Sequence, residues 1–359
     1  KDVRTVATVS PGSVPAPTRS RTCTAADIAR SLGVSRAAVS YALNGRPGIS
    51  DTLRHRILEE AAKNGVEAKP AAAGLSDVML GLILADVGNP FYSELAVSSS
   101  DAARARGCEI IMYHTADEPE AFISSVKMML SHGVAGIMTT VVSADGMEAS
   151  RILRSSGVPC VQVSRRVKGF PGAFVGMNDY LAGREIVQHL LRHGYRSIGI
   201  ACGPASSSSS AMRERGMREA LKAAGIRSRA DWMINTRLSI DGGEMLARHL
   251  LSLTELPRAV ACGTDAIAMG LMDGLMREGL RVPDDVAVTG YDGLLISRSE
   301  LVGLTSIIQP RGRMAALAVD LLLSSEPITQ VSLTCSHRLS IGHTCGCLPV
   351  ANHGKESTS

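Results

Sequence analysis

The chain has 359 residues, 45% of them hydrophobic and 20% charged, which excludes a largely disordered protein and allows two or three domains. Its net charge of +4 is unevenly spread: residues 1–75 hold 11 Lys and Arg against 6 Asp and Glu, whereas the remainder holds 27 against 28. A basic head on a nearly neutral body favours an acidic partner for the head, most simply nucleic acid, over chance clustering of charge.

Nothing in the sequence indicates a membrane or secretory location. No apolar run approaches the ~20 residues that a membrane-spanning helix needs, and no charged n-region, apolar h-region and cleavage site opens the chain. The eight cysteines are scattered, several of them inside apolar stretches, which is typical of buried thiols in a reducing compartment. We therefore expect a cytoplasmic protein.

Three short helices are predicted within residues 21–66, after a Pro-, Ser- and Thr-rich stretch over 1–20 that predicts a disordered arm. A residue able to cap a helix precedes each one, and apolar residues recur at helical spacing within them. The predicted caps are Thr24, Ser35 and Ser50. The second helix lies within "LGVSRAAVSYALNG" (32–45) and carries small side chains with a single charge at Arg36.

Apolar strands alternate with helical segments from residue 79 onward. This is the βαβ rhythm of a parallel sheet with helices on both faces, and two sets of strands predict two doubly wound lobes. Strands are predicted at 79–86, 108–114, 134–140, 158–164, 197–203, 259–265 and 285–292. Polar residues end them, as a ligand cleft between lobes requires, although strands of most α/β proteins end in polar turns.

Four motifs carry a resemblance to a known family. They are "ADIARSLGVSRAAVSYALNG" (26–45), "ADVGNPFYSELA" (85–96), "GYRSIGIACGP" (194–204) and "GLRVPDDVAVTGYDG" (279–293). The first is a helix, tight turn and helix, and two doubly wound lobes follow it. In this order the motifs resemble those of the LacI-type (lactose and purine repressor) transcription regulators.

The resemblance implies an α/β chain with an N-terminal three-helix helix-turn-helix head and two doubly wound, periplasmic-binding-protein-like lobes. It implies a hinge or linker over 67–78 and a tail over 351–359. The first lobe is expected at about 79–175 and 308–326, and the second at about 176–307 and 327–350. It further implies a bacterial, nucleoid-associated repressor, a homodimer or tetramer that binds a palindromic double-stranded operator and responds to a small sugar-like effector.

By the resemblance, the second helix of the head lies in the major groove of DNA. Arg36 is its one long donor for guanine, which is worth ~1–3 kcal/mol of discrimination, and Ala37 suits contact with a thymine methyl. Tyr41 stands where a basic residue is usual, and we expect it still to contact DNA. Further matching positions are Thr24, Ser35, Ser40, Asn44 and Ser50. For Thr24, Ser35 and Ser50, the alternative is that the side chain only caps a helix.

The stretch "AKPAAAGL" (68–75) falls where the family has a hinge helix that folds on the operator. Leu75 matches the leucine that wedges into the minor groove there. Ala68 replaces the usual proline, and Gly74 lowers helix propensity by ~1 kcal/mol relative to alanine. A plain interdomain linker is therefore the alternative.

The resemblance also implies an effector pocket in the cleft between the lobes. Asp265 and Asp292 match acids that meet ligand hydroxyls or brace the pocket, and Asp179 stands near the crossover between lobes. Phe91 and Tyr92 match positions that line the mouth of the pocket. For Phe91, the alternative is that its side chain anchors the hydrophobic core.

The pocket arginine departs from the family pattern. Counted from the Gly-Pro turn, Ala211 occupies the usual arginine position. Arg213 is the candidate that remains, although two residues along a helix turn a side chain by about 200°. Ala211 in place of the usual arginine and Leu238 in place of a common aromatic residue together predict a less polar or differently shaped effector.

Five residues near the C-terminus raise the question of a metal site: Cys335, His337, His343, Cys345 and Cys347. Their spacing is not that of a zinc finger or ribbon, and Cys-x-Cys on a strand places both thiols on one face. We expect buried and edge thiols, with no metal and no cofactor. The rival functions are a periplasmic-type solute-binding protein, disfavoured by the helical head, and an α/β enzyme, disfavoured by the lack of a nucleophile or cofactor motif.

Overall fold

A computed structural model describes residues 24–43, 50–64, 66, 78–141, 147–167 and 169–347. The chain divides into two compact units, residues 1–75 and 76–359. The predicted arm over 1–20, Asn44 and the hinge residue Leu75 lie outside the described residues. So do the side chains of Ala37 and Tyr41.

The N-terminal unit is the predicted bundle of three helices. The helices are α1 (Ala25–Leu32), α2 (Arg36–Leu43) and α3 (Asp51–Lys63). Their inner faces form one small core, built from Ile28, Ala29, Val39, Ala42, Ile57 and Ala61. Gly33 ends α1 with a left-handed φ of +66°, a conformation that glycine adopts without a Cβ penalty, and the chain turns there into α2. The helix-turn-helix prediction is confirmed.

The larger unit holds two six-stranded sheets. Numbered along the chain, the strands of the first sheet are β1 (Met79–Leu84), β2 (Glu109–His114), β3 (Gly136–Thr139), β4 (Cys160–Val163), β5 (Ala173–Met177) and β11 (Ser332–Cys335). Those of the second are β6 (Ile198–Cys202), β7 (Met233–Asn235), β8 (Ala259–Cys262), β9 (Ala287–Asp292), β10 (Thr305–Ile308) and β12 (Arg338–Ser340). The sheet orders are β11-β5-β4-β3-β1-β2 and β12-β10-β9-β8-β6-β7.

Helices cover the sheets as expected for parallel strands. All strand pairs are parallel except β10 with β12. The first lobe contains α4 (Pro90–Arg104), α5 (Pro119–Ser131), α6 (Met147–Ser156) and α11 (Arg311–Leu322). The second contains α7 (Asp179–Arg192), α8 (Ser208–Ala223), α9 (Ile240–Leu251) and α10 (Asp265–Arg277). Aliphatic side chains make up most of the cores, in keeping with an aromatic content of only 3%. Within the described part of the chain, no helix is long and apolar enough to cross a membrane.

The chain crosses between the lobes three times, and one crossing lies later than predicted. β11 pairs with β5, so residues 332–335 belong to the first lobe. The predicted boundary at 326/327, which assigned them to the second lobe, is wrong. A four-residue strand is too short to show a clear periodicity in the sequence. The sheet it joins is determined by the strand it pairs with.

Candidate functional site

Three capping side chains lie on the surface of the head. Ser35 Oγ accepts a hydrogen bond at 3.1 Å from the backbone N–H three residues on, and Ser50 Oγ accepts the equivalent bond at 3.3 Å. The backbone N–H and the hydroxyl of Thr24 donate to Asp27 Oδ2 at 3.0 and 2.7 Å. Each of these predicted DNA-contacting residues therefore has a capping role, and each remains exposed.

Helix α2 presents an exposed cation at its first position. Arg36 and Ser40 are exposed, whereas Val39 and Ala42 between and beyond them are buried in the head core. The helix therefore has one face packed inward and one face exposed to solvent. The positive end of the helix dipole at its N-terminus favours an anion such as a phosphate.

The centre of the cleft in the larger unit is a buried network around Arg213. Its Nε donates to Asp179 Oδ1 at 2.8 Å, and its Nη1 donates to the Gly263 carbonyl at 2.8 Å. Nη1 also lies 3.5 Å from Asp292 Oδ1, and the guanidinium stacks 3.8 Å from the ring centroid of Tyr291. Three predicted site residues, Asp179, Arg213 and Asp292, are therefore brought together.

Arg213, the candidate kept for the pocket arginine, lies in the cleft network despite the helical turn of about 200° that separates it from Ala211. Its side chain is 4% exposed and lies on the buried face of α8, whereas Ala211 is partly exposed. Gly216 and Met217 share this buried face, three and four residues on, as helical spacing requires.

Asp292 offers the most unusual carboxylate of the cleft. It is 1% exposed, at the end of β9, with a φ of +118° that is rare for a residue with a side chain. Its Oδ1 accepts a bond from Gln309 Nε2 at 2.6 Å. Among the described residues, Asp292 Oδ2 and Gln309 Oε1 have no hydrogen-bond partner. Two buried acceptors are thus left for donors from a ligand.

Asp265 has a different part. Its Oδ2 accepts bonds from Ser297 Oγ at 2.6 Å and from the Leu294 N–H at 2.7 Å, and its Oδ1 accepts from Ser306 Oγ. Both oxygens are therefore occupied by neighbours on the loop after β9 and on β10. Of the two roles expected for it, these contacts fit bracing the pocket.

The two predicted aromatics lie on α4 in the first lobe. Phe91 is buried in the lobe core, and its ring meets that of Tyr92 edge to face at 5.2 Å. Arg165 lies 5.5 Å from the centroid of Tyr92 and forms two hydrogen bonds with Asp117, at 2.8 and 2.7 Å. Burial raises the pKa of Tyr92 to about 12, although the charge of Arg165 opposes the shift.

Polar contacts join the two walls of the cleft. Asn89 Nδ2 of the first lobe donates to the Leu238 carbonyl at 3.1 Å. Glu94 accepts from the Leu295 N–H at 3.0 Å and pairs with Arg311 at 2.6 Å. Arg311 in turn donates to the carbonyls of residues 292 and 293. The centre of the cleft is therefore closed and filled by its own side chains.

Open space lies beside this centre. A cavity of about 300 Å³ borders Asp179, and a larger one of about 990 Å³ adjoins it, with Arg166, Phe174 and Ser208 in both walls. Neither is lined by Arg213 or Asp292. The buried charges and unpaired acceptors of the cleft therefore lie outside the lining of both cavities.

Two family models cover most of the chain. Residues 24–65 match the bacterial regulatory proteins of the lacI family, and residues 77–327 match the periplasmic binding proteins and sugar binding domain of the LacI family. The chain belongs to the LacI family. It is thus a DNA-binding transcription regulator with a helix-turn-helix head and an effector domain, and the predicted fold class and family are confirmed.

Relatives of this LacI-family protein cover nearly its whole length. It is 29% identical to the HTH-type transcriptional regulator DegA of Bacillus subtilis, over 81% of this chain and 87% of that one. It is 28% identical to the ribose operon repressor of Escherichia coli K12, over 86% and 93%.

Solved structures show the shared fold. The lac repressor dimer bound to operator and the anti-inducer ONPF has a TM-score of 0.73 at 22% identity, covering 90% of this chain and 99% of that one. The CelR–cellobiose complex has a TM-score of 0.66 at 24% identity, with the same two coverages.

Sequence reasoning missed several groups at the cleft of this LacI-family protein. Gln309 and Arg311 follow β10, a strand that was not predicted, and Arg165 follows β4. Tyr291 lies beside Asp292 and donates to Asp179 Oδ1 at 2.8 Å. The "QPR" after an apolar stretch was an available signal, since cleft residues follow the carboxyl ends of strands.

Burial raises the pKa of Asp292 to about 7, against the charge of Arg213. In the unfolded chain the carboxyl ionises near 4, so the folded state holds a proton between these values. Relative to Asp292→Asn, the wild type should lose unfolding free energy as the pH rises from about 4 to about 7, by as much as ~4 kcal/mol. Urea unfolding followed by the single tryptophan, Trp232, measures it. If the free energies of unfolding of the two proteins depended on pH in the same way, the raised pKa of Asp292 would be contradicted.

Proposed function

We propose that this LacI-family protein represses transcription by binding a palindromic operator as a homodimer in the bacterial cytoplasm, on the nucleoid. The observation that carries the DNA-reading part is the exposed Arg36 at the first position of α2. A guanidinium at this point of a groove-bound helix can donate two hydrogen bonds to O6 and N7 of guanine. Two such helices in a dimer read half-sites about one DNA turn apart.

The remaining head positions support this reading by their exposure. Thr24, Ser35, Ser40 and Ser50 offer hydroxyl groups, which commonly donate to phosphates and so fix the register of the protein on DNA. Ala37, Tyr41, Asn44 and Leu75 stay predictions from the sequence. The two relatives reported above are named a transcriptional regulator and an operon repressor, and we propose no reaction for the cleft.

We infer that the effector is a small molecule rich in hydroxyl groups, because the buried Arg213 removes the ground for expecting a less polar one. Within the part of the chain that the structure describes, Asp292 Oδ2 and Gln309 Oε1 are buried acceptors without donors, and Arg213 and Tyr291 lie beside them. Hydroxyl groups supply the missing donors, and an apolar ring face suits the Tyr291 ring. The ribose operon repressor and the cellobiose-bound CelR among its relatives and structural neighbours support a sugar-like molecule.

Effector binding is proposed to act through the angle between the lobes. The network is closed, with the Asn89–Leu238 and Glu94–Leu295 bonds joining the walls, so a ligand reaches Asp292 only after the lobes separate. A ligand that binds the open and closed states with different affinity shifts their populations. The lobe angle then sets the spacing of the two heads in a dimer.

Selection of bound DNA from a random pool tests the function directly. The full chain should enrich a palindromic sequence, and the enrichment should change when one of a panel of pentoses, hexoses and disaccharides is added. Enrichment that is no greater than for random DNA would contradict the operator proposal. A palindrome whose binding responds to no sugar in the panel, but to a nonpolar metabolite, would contradict the effector class alone.

A further inference from the structure

Two histidines and two cysteines meet on the second lobe, away from the cleft network. His189 lies in the last turn of α7 and His193 follows it, four residues on, so both face the same side of the helix. Cys345 and Cys347 come from the C-terminal segment, where Gly346 turns the backbone with a φ of +85°. Because these residues lie in a turn and not on a strand, both thiols reach α7.

The four ligand atoms are close enough for one ion. Cys345 Sγ lies 3.2 Å from His189 Nε2, and Cys347 Sγ lies 2.9 Å from His193 Nε2 and 3.6 Å from His189 Nε2. All four atoms fall within 4.8 Å of one another. A tetrahedral Zn²⁺ with Zn–S of ~2.3 Å and Zn–N of ~2.0–2.1 Å separates its ligand atoms by about 3.3–3.8 Å.

We propose that His189, His193, Cys345 and Cys347 bind one Zn²⁺ in a closed tetrahedral site. Two thiolates and two neutral imidazoles are a set that zinc favours, and the two negative charges balance the ion. Four protein ligands leave no position for water, which is the pattern of a structural site and not of a catalytic one.

Neighbouring groups support the ligands. The Thr305 hydroxyl donates to Cys345 Sγ at 3.0 Å, as groups around a zinc site donate to its thiolates. Cys345 and His189 are buried, whereas His193 is exposed and Cys347 is partly exposed, so the site has an entry path from solvent. The expectation of plain buried thiols does not account for four such groups facing one point.

The ion would fasten the C-terminal segment to α7. Thr344 already binds this segment to the sheet: its carbonyl accepts from the Val288 N–H at 2.8 Å, and its hydroxyl donates to the Val288 carbonyl at 2.7 Å. The zinc adds a link from the same segment to the helix that begins at Asp179. Zinc therefore stabilises the second lobe, because it binds the folded arrangement and not the separated ligands.

Metal analysis of the untagged full chain tests the proposal. Protein purified from zinc-supplemented cells should hold about one Zn²⁺ per chain. Replacement by Co²⁺ should give the absorption of a tetrahedral thiolate complex. Cys347→Ser and His193→Ala, both on the solvent side, should each lower zinc affinity by more than the ~10–100-fold typical of losing a supporting residue.

Two variants of the same segment serve as controls. Cys335→Ser and His337→Ala should keep the full zinc content, since the first lies on β11 and the second pairs with Glu185 at 2.8 Å. Thermal unfolding in chelator should show that the ligand variants still fold. Zinc content in the wild type no higher than in Cys347→Ser, or a Co²⁺ spectrum without thiolate absorption, would overturn the proposal.

Discussion

Replacing Arg213 by methionine should abolish the response to effector and destabilise the effector domain by ~3–5 kcal/mol at neutral pH. The guanidinium is 4% exposed and lies between Asp179 and Asp292, which are 8% and 1% exposed. Methionine fills similar volume but leaves two buried carboxylates without a cation. Because burial already holds the pKa of Asp292 near 7, the cost should shrink as the pH falls and that carboxyl takes up a proton.

Urea unfolding followed by Trp232 fluorescence measures this loss, since this single tryptophan is buried in the second lobe. The matched control is Arg218→Met on the same helix. Arg218 is exposed and pairs with Glu214 one turn away, so its loss should cost no more than ~1 kcal/mol. Equal unfolding curves for the two variants would show that the Arg213 network contributes nothing to stability.

A double variant separates charge from packing at this network. Adding Asp179→Asn to Arg213→Met removes one of the two unpaired carboxylates and keeps an acceptor for the Tyr291 hydroxyl. It should recover part of the lost stability, because the two positions are in direct contact and their effects do not add. A further loss equal to that of Asp179→Asn alone would contradict the proposed pairing.

Replacing Arg36 by alanine should reduce operator discrimination by about 5- to 150-fold, the equivalent of ~1–3 kcal/mol for one bidentate base contact. The effect should fall on the selected operator and not on random DNA. The fold should be unchanged, since the side chain is exposed and the head core lies on the opposite face of α2. Competition binding between operator and random DNA over a salt series measures the affinity for each and its dependence on salt.

The control for Arg36 is Arg30→Ala, which removes the same charge from α1. Arg30 is exposed and pairs with Asp27 at 3.1 Å. Its loss should weaken binding to all sequences about equally, as the loss of a general electrostatic attraction does. Arg36→Ala could instead weaken binding to operator and to random DNA equally, and reduce the slope of log affinity against log salt concentration by about 1. That result would show that Arg36 contacts phosphate and does not read bases.

Local features made the head predictable. The caps at Ser35 and Ser50, the left-handed Gly33 and the inward residues of each helix all act within a few residues along the chain. Helix ends depend on hydrogen bonds within one turn of the chain, so the residue types found there predict where each helix begins and ends. The seven predicted strands were recovered for a similar reason, because each contains a local cluster of apolar residues.

The elements that sequence reasoning missed depend on distant partners. β5, β7, β10, β11 and β12 are three to five residues long. Each of these strands includes a residue that is not fully buried, whereas the equally short β3, β4 and β8 are buried throughout. Such a mixed strand depends on the neighbour it pairs with and carries no clear apolar run. The same limit applied to Arg213, whose direction depends on how α8 packs against α7.

The sequence by itself determined the family, the helix-turn-helix head, the two α/β lobes and four polar residues of the cleft, Asp179, Arg213, Asp265 and Asp292, because motifs and strand ends are local. Only the tertiary structure decided which of those residues meet. It placed Arg213 between Asp179 and Asp292, and it left Asp292 Oδ2 without a partner among the described residues. It also brought His189 to Cys345, 156 residues apart along the chain. Spacing in sequence does not encode such pairs, since the packing of whole helices and sheets sets those distances.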